Sequence, residues 1–191
     1  INGVEWDAVE LPSQFMENFV WKYDVLREMS AHEENGSMLP ENLFQKMLAA
    51  KNFQRGMFLV RQMEFALFDM LIYSESDSGS LKNWPQTLAD VRHQVAVIQP
   101  PEYNRFANSF GHIFAGGYSA GYYSYAWAEV LSADAYAAFE ECGDVRKMGE
   151  HFWREILAVG GSRSMAQSFQ AFRGRAPQID ALLQHSGFIQ N

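Results

Sequence analysis

The sequence has 191 residues, of which 48% are hydrophobic and 15% aromatic, so it can bury a core and does not have the composition of a disordered chain. The formal net charge of -8 disfavours nucleic acid and anionic membranes as partners. The one cysteine, Cys142, excludes an internal disulfide framework and a cysteine-based zinc site, fits a reducing compartment, and leads us to predict a cytoplasmic location.

Apolar residues recur at helical spacing through nearly the whole chain, and no sustained alternation of the kind that marks strands is present. Glycine, proline and asparagine punctuate this pattern where helices end or begin. The predicted helices cover about Asp7–His32, a segment opened by Pro40-Glu41, about Phe53–Tyr73, a segment from Pro85 to near Ile98, about Tyr118–Glu141, and shorter stretches after Gly143, Ser164 and Pro177. We predict an all-α fold that occupies residues 1–191 as a single helical region.

Two segments are predicted to be less regular. The serine-rich stretch from Ser74 to Ser80 is typical of a polar surface loop. The stretch from Glu102 to Gly117 is interrupted by glycines and is expected to be irregular or only partly helical.

A carboxylate near the start of the chain is a candidate metal ligand. On a helix, Glu10 shares one face with Gln14, while Leu11, Phe15 and Phe19 fall beside that face and can reach the core. Zinc accepts glutamate oxygen, although two more protein ligands would be needed. The alternative is that Asp7-x-x-Glu10 is a capping-box-like helix start with Asp7 at the N-cap, or that Glu10 lies on a solvated face, and spacing alone favours these alternatives.

Tyrosines form the second candidate site. At helical spacing, one stripe contains Tyr118, Tyr122, Tyr125, Glu129 and Tyr136, and the opposite face, which looks like the core face, contains Tyr123, Trp127, Val130 and Leu131. Phenol hydroxyls are neutral donors that could stabilise a developing oxyanion. Packing of the rings with their hydroxyls at the surface is the alternative, and the residue types alone favour it.

A glycine-rich segment precedes these tyrosines. Gly116 and Gly117 would let the chain bend and approach a peptide backbone closely, and His112 could donate a hydrogen bond to a substrate. A structural histidine is the alternative for His112. Near the other end, Arg173 and Arg175 could clamp a carboxylate such as a peptide terminus, with structural ion pairing as the favoured alternative.

Five stretches in the same order resemble the thimet oligopeptidase and oligopeptidase A family of zinc metallopeptidases, and are nearest to its bacterial oligopeptidase A branch. The resemblance covers nearly the whole chain, and it is carried by Trp6–Gln14, Ala49–Phe53, His112–Tyr118, Gly121–Tyr125 and Phe172–Pro177.

The resemblance implies roles for particular residues. Glu10 stands where the family has the third protein ligand of zinc, after two histidines and a glutamate base supplied by H-E-x-x-H. Tyr122 and Tyr125 match the tyrosines that face the site, of which the better-placed hydroxyl supports the oxyanion. His112 and Tyr118, with the intervening glycines, match a mobile loop that contacts the substrate. The implied fold is mostly helical, and the implied substrates are short peptides that enter a channel between two lobes.

The sequence departs from the family pattern in one respect: it contains no H-E-x-x-H, since no two of its five histidines lie four apart. We therefore expect residues 1–191 to be the C-terminal part of a peptidase catalytic domain, to bind no zinc alone and to be inactive alone. Exposed apolar surface is expected to favour self-association. Two alternatives stay open: a non-catalytic helical module that binds peptides or a partner, and a plain structural helical domain.

Overall fold

The computed structural model describes residues 3–74 and 83–189, and all regular structure within these ranges is helical, which confirms the all-α prediction. The α-helices are α1 (Leu11–Glu17), α2 (Tyr23–Glu28), α3 (Glu41–Lys51), α4 (Arg55–Ser74), α5 (Trp84–Val95), α6 (Gly111–Phe114), α7 (Ser124–Cys142), α8 (Val145–Phe152), α9 (Met165–Arg173) and α10 (Asp180–His185). Three-residue to four-residue 3-10 turns cover Trp6–Ala8, Asn18–Trp21 and Phe106–Ser109, and a π-helical turn covers Trp153–Leu157. The predicted serine-rich loop lies, after Ser74, outside the described residues.

The prediction of one continuous helix from Asp7 to His32 is wrong. Pro12 has no backbone N–H and sits in the first turn of α1, so it begins a new helix after the turn at Trp6–Ala8. Lys22 adopts an extended conformation, with φ -104° and ψ 125°, and separates the 3-10 turn before it from α2. The apolar residues thus keep helical spacing across two interruptions of the helix, at residues 9–10 and at Lys22.

Several helix ends agree with the sequence. The Asp144 side chain accepts a hydrogen bond from the Lys147 backbone N–H at 3.0 Å, and so caps α8. Ser164 and Gln167 form a reciprocal capping box at the start of α9. Gly174, with φ 73°, ends that helix in the left-handed conformation.

The chain divides into two compact units, and the first contains residues 1–53 and 127–191. Its core is built around α1, α7, α8 and α9. Leu11 and Phe15 are buried, Phe19 packs against them, and the Phe15 ring stacks on Phe152 with centroids 4.1 Å apart. The prediction that Leu11, Phe15 and Phe19 reach the core is thus confirmed.

The second unit contains residues 54–126. Its core joins α4 and α5 to the glycine-punctuated segment, through Phe68, Ile72, Leu88, Ala107, Phe110 and Ile113. A buried carboxylate, Glu64, is held in this unit by the guanidinium groups of Arg61 at 2.6 Å and Arg92 at 2.9 Å. These ion pairs and the buried apolar face fix the position of α4. The segment that contains His112, Tyr118 and Tyr122 is hydrogen-bonded to this helix.

The structure differs from the predicted stripes of the tyrosine-rich helix in three respects. The helix begins at Ser124 rather than Tyr118, so residues before it do not follow helical spacing. The residues 131–136 are buried on all sides of α7, and Tyr136 therefore lies in the core. Trp127, which was placed on the core face, is 51% exposed.

Candidate functional site: a glycine-rich turn and a cluster of aromatic rings

The glycine-rich turn, residues 111–123, is attached to one face of α4. The Ile113 carbonyl accepts hydrogen bonds from the Tyr73 hydroxyl at 2.9 Å and from Ser119 Oγ at 2.7 Å. Gln62, Asp69 and Tyr73 follow one another along α4 at spacings of seven and four residues, so they share a face. This face carries the contacts that shape the turn.

Two glycines are required by the backbone of this turn. A Cβ at position 116 would lie 3.0 Å from the backbone Cα and carbonyl oxygen of His112, which is closer than side chains normally approach. Gly117 has φ +83°, a conformation that other residues rarely adopt. The sequence predicted that these two glycines let the chain bend, and in the structure they lie in a tight reversal between His112 and Tyr118.

Asp69 is buried and holds the backbone on the far side of the reversal. Its two carboxylate oxygens accept hydrogen bonds from the backbone N–H groups of Ala120 and Tyr122, each at 2.9 Å. Ala120 has φ 53°, which is unusual for a residue with a side chain. Burial raises the pKa of the Asp69 carboxyl group, and the hydrogen bonds from the backbone of residues 120–122 act against that rise.

The turn brings together four of the aromatic residues singled out in the sequence. The Tyr118 and Tyr125 rings stack with centroids 5.0 Å apart, and Tyr122 lies 5.2 Å from Tyr125. The His112 ring is 5.8 Å from the Tyr122 ring and 6.1 Å from each of the other two. We call these four residues the ring cluster. Only Tyr125 of the four lies on α7, so the cluster is not the stripe along one helix that the sequence predicted.

The hydroxyl of Tyr122 in the ring cluster has a partner on α4. The hydroxyl donates to Gln62 Oε1 at 3.1 Å, and its ring packs edge-on against Phe65 and Phe110. Burial, together with the neighbouring Tyr125, raises the pKa of Tyr122 above its usual value of 10.0, while Arg61 acts to lower it. The phenol therefore stays protonated at neutral pH and can donate a hydrogen bond.

Glu10 belongs to the first unit, where it is the residue preceding α1. Its Oε2 accepts a hydrogen bond from Ser13 Oγ at 2.8 Å, and its side chain is half-buried. Asp7 lies inside the short turn Trp6–Ala8, whose N-cap is Glu5. The capping-box alternative with Asp7 at the N-cap is therefore wrong, because no α-helix begins there.

The residues present do not by themselves fit a zinc ion. In residues 3–74 and 83–189, no three His, Cys, Asp or Glu side chains form a group that could hold a metal. Glu10 offers one carboxylate, whereas a protein zinc site takes three or four protein ligands. Any zinc held by Glu10 needs further ligands, and the sequence lacks the H-E-x-x-H that could provide them.

Arg173 and Arg175 bind carboxylates of the chain itself. The buried Asp134 accepts from Arg173 Nε at 3.0 Å and from the two terminal nitrogens of Arg175 at 2.6 and 2.7 Å. Arg173 also forms a two-point pair with Glu141 at 2.8 and 2.9 Å. The structural ion-pairing alternative is confirmed for both arginines.

Sequence reasoning missed the three buried carboxylates, Glu64, Asp69 and Asp134. Each lies within an otherwise apolar helical stretch, as in Glu64-Phe-Ala-Leu-Phe-Asp69. An acidic residue inside an apolar helical stretch could have indicated a buried carboxylate. Because acidic residues are rarely fully buried unless they are paired, it would also have indicated a partner for that carboxylate.

Known proteins match the chain over almost its whole length. Residues 1–188 match the model of Peptidase family M3. Oligopeptidase A of Salmonella typhimurium is 52% identical over 188 residues, which are 98% of this chain and 28% of that protein. Oligopeptidase A of Escherichia coli is 51% identical over 188 residues, with the same coverage of both chains. Saccharolysin of Saccharomyces cerevisiae is 34% identical over 193 residues, which are 99% of this chain and 26% of that protein.

The all-helical fold and these matches define a chain of the peptidase class. The chain belongs to peptidase family M3, which confirms the resemblance to thimet oligopeptidase and oligopeptidase A. It spans about 28% of the length of the bacterial relatives it matches.

Proposed function

We propose that this chain forms part of a zinc-dependent oligopeptidase that hydrolyses short peptides with a metal-activated water. In this proposal Glu10 is one zinc ligand, and Tyr122 and Tyr125 face the substrate, one of them donating to the oxyanion. His112, Gly116, Gly117 and Tyr118 contact the peptide. Membership of peptidase family M3 supports the hydrolytic activity.

The observation that carries the proposal is the Tyr122 hydroxyl. It is a protonated donor on a tight turn, and its ring contacts two other rings of the cluster, those of His112 and Tyr125. A preorganised neutral donor stabilises charge that develops in a transition state, because it needs no reorganisation when the charge appears. Hydrogen bonding to Gln62 and ring packing restrict where this hydroxyl can point.

A chimera tests the proposal. Residues 1–188 would replace the matching segment of Escherichia coli oligopeptidase A, with which they share 51% identity. We expect zinc-dependent cleavage of short peptides, and we expect Glu10→Gln to lower zinc occupancy and to reduce kcat/KM by more than about 100-fold, since even groups that only support metal ligands cost about 10–100-fold. Zinc content by mass spectrometry and peptide cleavage measure both effects.

Glu17→Gln is the matched control, because Glu17 is an exposed carboxylate at the other end of α1, the helix that Glu10 precedes. It should leave zinc content and activity unchanged. A chimera in which Glu10→Gln keeps one tightly bound zinc and full activity would refute the metal role. The isolated chain, run beside it, is expected to bind no zinc tightly and to cleave no peptide.

A non-catalytic peptide-binding module is the second candidate, and the ring cluster is the observation in its favour. Aromatic rings with polar tips are frequent in binding surfaces. An inactive chimera, combined with metal-independent peptide binding by the isolated chain that weakens in Tyr122→Ala, would favour this function. Fluorescence anisotropy with labelled short peptides measures that binding.

We further propose that the isolated chain self-associates through apolar side chains that face solvent. Along α4 the side chains of Leu59, Leu67, Met70 and Leu71 are 37–42% exposed. Contiguous apolar surface favours association. Light scattering over a concentration series should show a rising mass, and Leu67→Lys should reduce it; a constant monomeric mass would contradict the proposal.

None of the helices in the described ranges is long and apolar enough to cross a membrane. We propose a cytoplasmic location and no nucleic-acid partner, supported by the net charge of -8 and the single cysteine. Among the matching proteins, one Arabidopsis thaliana relative is named a probable cytosolic oligopeptidase A and another an organellar one.

A further inference from the structure

We propose that Gln62 and Asp69 are positioning residues that hold Tyr122 at its two ends, the hydroxyl and the backbone. The inference rests on the proposed function in assigning a catalytic purpose to this arrangement. The arrangement itself is a feature of the second unit and can be tested without any peptidase activity.

The backbone end is fixed by Asp69. Its carboxylate is 0% exposed and accepts the N–H groups of Ala120 and Tyr122, so both oxygens are directed at the turn. Ala120, whose N–H makes the first of these contacts, has the left-handed φ of 53°, which a side chain disfavours. Backbone held in such a conformation needs support from its surroundings, and such positions are common at functional sites. The Asp69 carboxylate provides that support.

The hydroxyl end is fixed by Gln62. The amide oxygen accepts the Tyr122 proton at 3.1 Å and so sets the direction of the O–H bond. A neutral amide is a weaker acceptor than an oxyanion, because hydrogen bonds to charged groups are roughly twice as strong. The Tyr122 hydroxyl therefore donates its hydrogen bond to Gln62 in the absence of substrate, and a developing oxyanion near the hydroxyl would compete for that hydrogen bond.

Both contacts come from one helix that is itself anchored. Gln62 and Asp69 are seven residues apart, close to two helical turns, and so lie on the same face of α4. Between them, Glu64 pairs with Arg61 and Arg92, and Phe68 is fully buried. The phenol of Tyr122 is thus positioned by two side chains of a single rigid element.

Amide hydrogen exchange on the full chain tests the backbone contact. Asp69→Asn preserves shape but replaces one acceptor oxygen with an N–H₂ group that meets a backbone N–H. We expect at least one of the Ala120 and Tyr122 amides to exchange at least about 10-fold faster relative to amides in the core of α4, since one of the two acceptor oxygens is lost. Asp90→Asn, which changes an exposed carboxylate of the same unit, is the control and should leave this ratio unchanged.

Kinetics of the chimera test the catalytic purpose. Asp69→Asn and Gln62→Met should each lower kcat by about 10-fold with little change in KM, because misplacing a catalytic group by a fraction of an ångström to 1 Å is costly. On a Tyr122→Phe background neither change should lower kcat further, because the group they position is gone. A purely structural role would instead give losses that multiply, and this result would overturn the proposal.

The two measurements separate the possible failures. If Asp69→Asn leaves the Ala120 and Tyr122 amides as protected as before, the hold on Tyr122 is refuted whatever the peptidase assays show. If exchange accelerates but the unmodified chimera cleaves no peptide, the proposed function fails and the catalytic purpose of the two residues fails with it.

Discussion

Replacing Asp134 with alanine should lower the free energy of unfolding by about 3–5 kcal/mol, because it leaves charges in a low-dielectric environment without their partner. Asp134 is 1% exposed and is bound by Arg173, Arg175 and the backbone N–H of Gln178. The Arg173 side chain is only 9% exposed, so water cannot readily replace the lost carboxylate. Urea unfolding followed by far-ultraviolet circular dichroism measures the effect.

Glu141→Ala is the matched control for this change. Glu141 also pairs with Arg173, but its side chain is 62% exposed, so its loss should cost no more than about 1 kcal/mol. A loss for Asp134→Ala as small as the loss for Glu141→Ala would show that the buried pairs contribute little net stability.

The same carboxylate predicts the direction of the acid response. Burial acts to raise the pKa of Asp134, but hydrogen bonds from Arg175 and Gln178 and the charges of both arginines outweigh it, and the net pKa is lowered from 3.8. A lowered folded-state pKa contributes stability above pH 3.8, and that stability is lost as the pH falls through the folded-state value. Asp134→Ala should flatten the stability profile in this acid window.

In the chimera, Tyr122→Phe should reduce kcat by about 10²–10³-fold and change KM little, because a donor to the oxyanion acts only in the transition state. The Phe ring keeps the contacts with Phe65 and Phe110, so the turn should stay folded. Steady-state kinetics with a quenched fluorescent peptide measure both constants.

Tyr123→Phe is the control, since Tyr123 is adjacent in sequence but lies at the surface and outside the ring cluster. It should leave kcat unchanged. Tyr125→Phe identifies the donor: a large loss there, with an unchanged rate for Tyr122→Phe, would transfer the role to Tyr125 and contradict the assignment made from the Gln62 hydrogen bond.

Local spacing was sufficient to predict most helices, because their ends carry local signals. Ser164 caps α9 through its own side chain, and Gly174 ends it with a left-handed φ. Local spacing failed at the tyrosines, where a helix was predicted to begin at Tyr118. The acceptor that draws Ala120 and Tyr122 out of a helix is Asp69, about fifty residues earlier in the chain. The spacing of neighbouring residues cannot predict a hydrogen bond between residues more than fifty positions apart.

The candidate site was also predicted only in part. The resemblance identified the ring-cluster residues and the two glycines, and the structure brings the rings together. The side chains that hold them, Gln62 and Asp69, are ordinary polar residues on a long helix and become informative only when their partners are known. The metal role of Glu10 stays a prediction, since no three His, Cys, Asp or Glu side chains of the described residues form a group that could hold a metal.

The division of the chain into a discontinuous first unit and a continuous second one has a consequence for synthesis on the ribosome. Residues 54–126 can pack together while the rest of the chain is still being made. Helix α1 cannot complete its packing until residues much later in the chain have been made. Phe15 packs on Phe152, and the Glu5 carboxylate accepts a hydrogen bond from the Met165 backbone N–H, 160 residues later. A nascent chain therefore leaves the apolar side chains of α1 uncovered until α8 and α9 have been made, and during that interval it is a natural client for a chaperone.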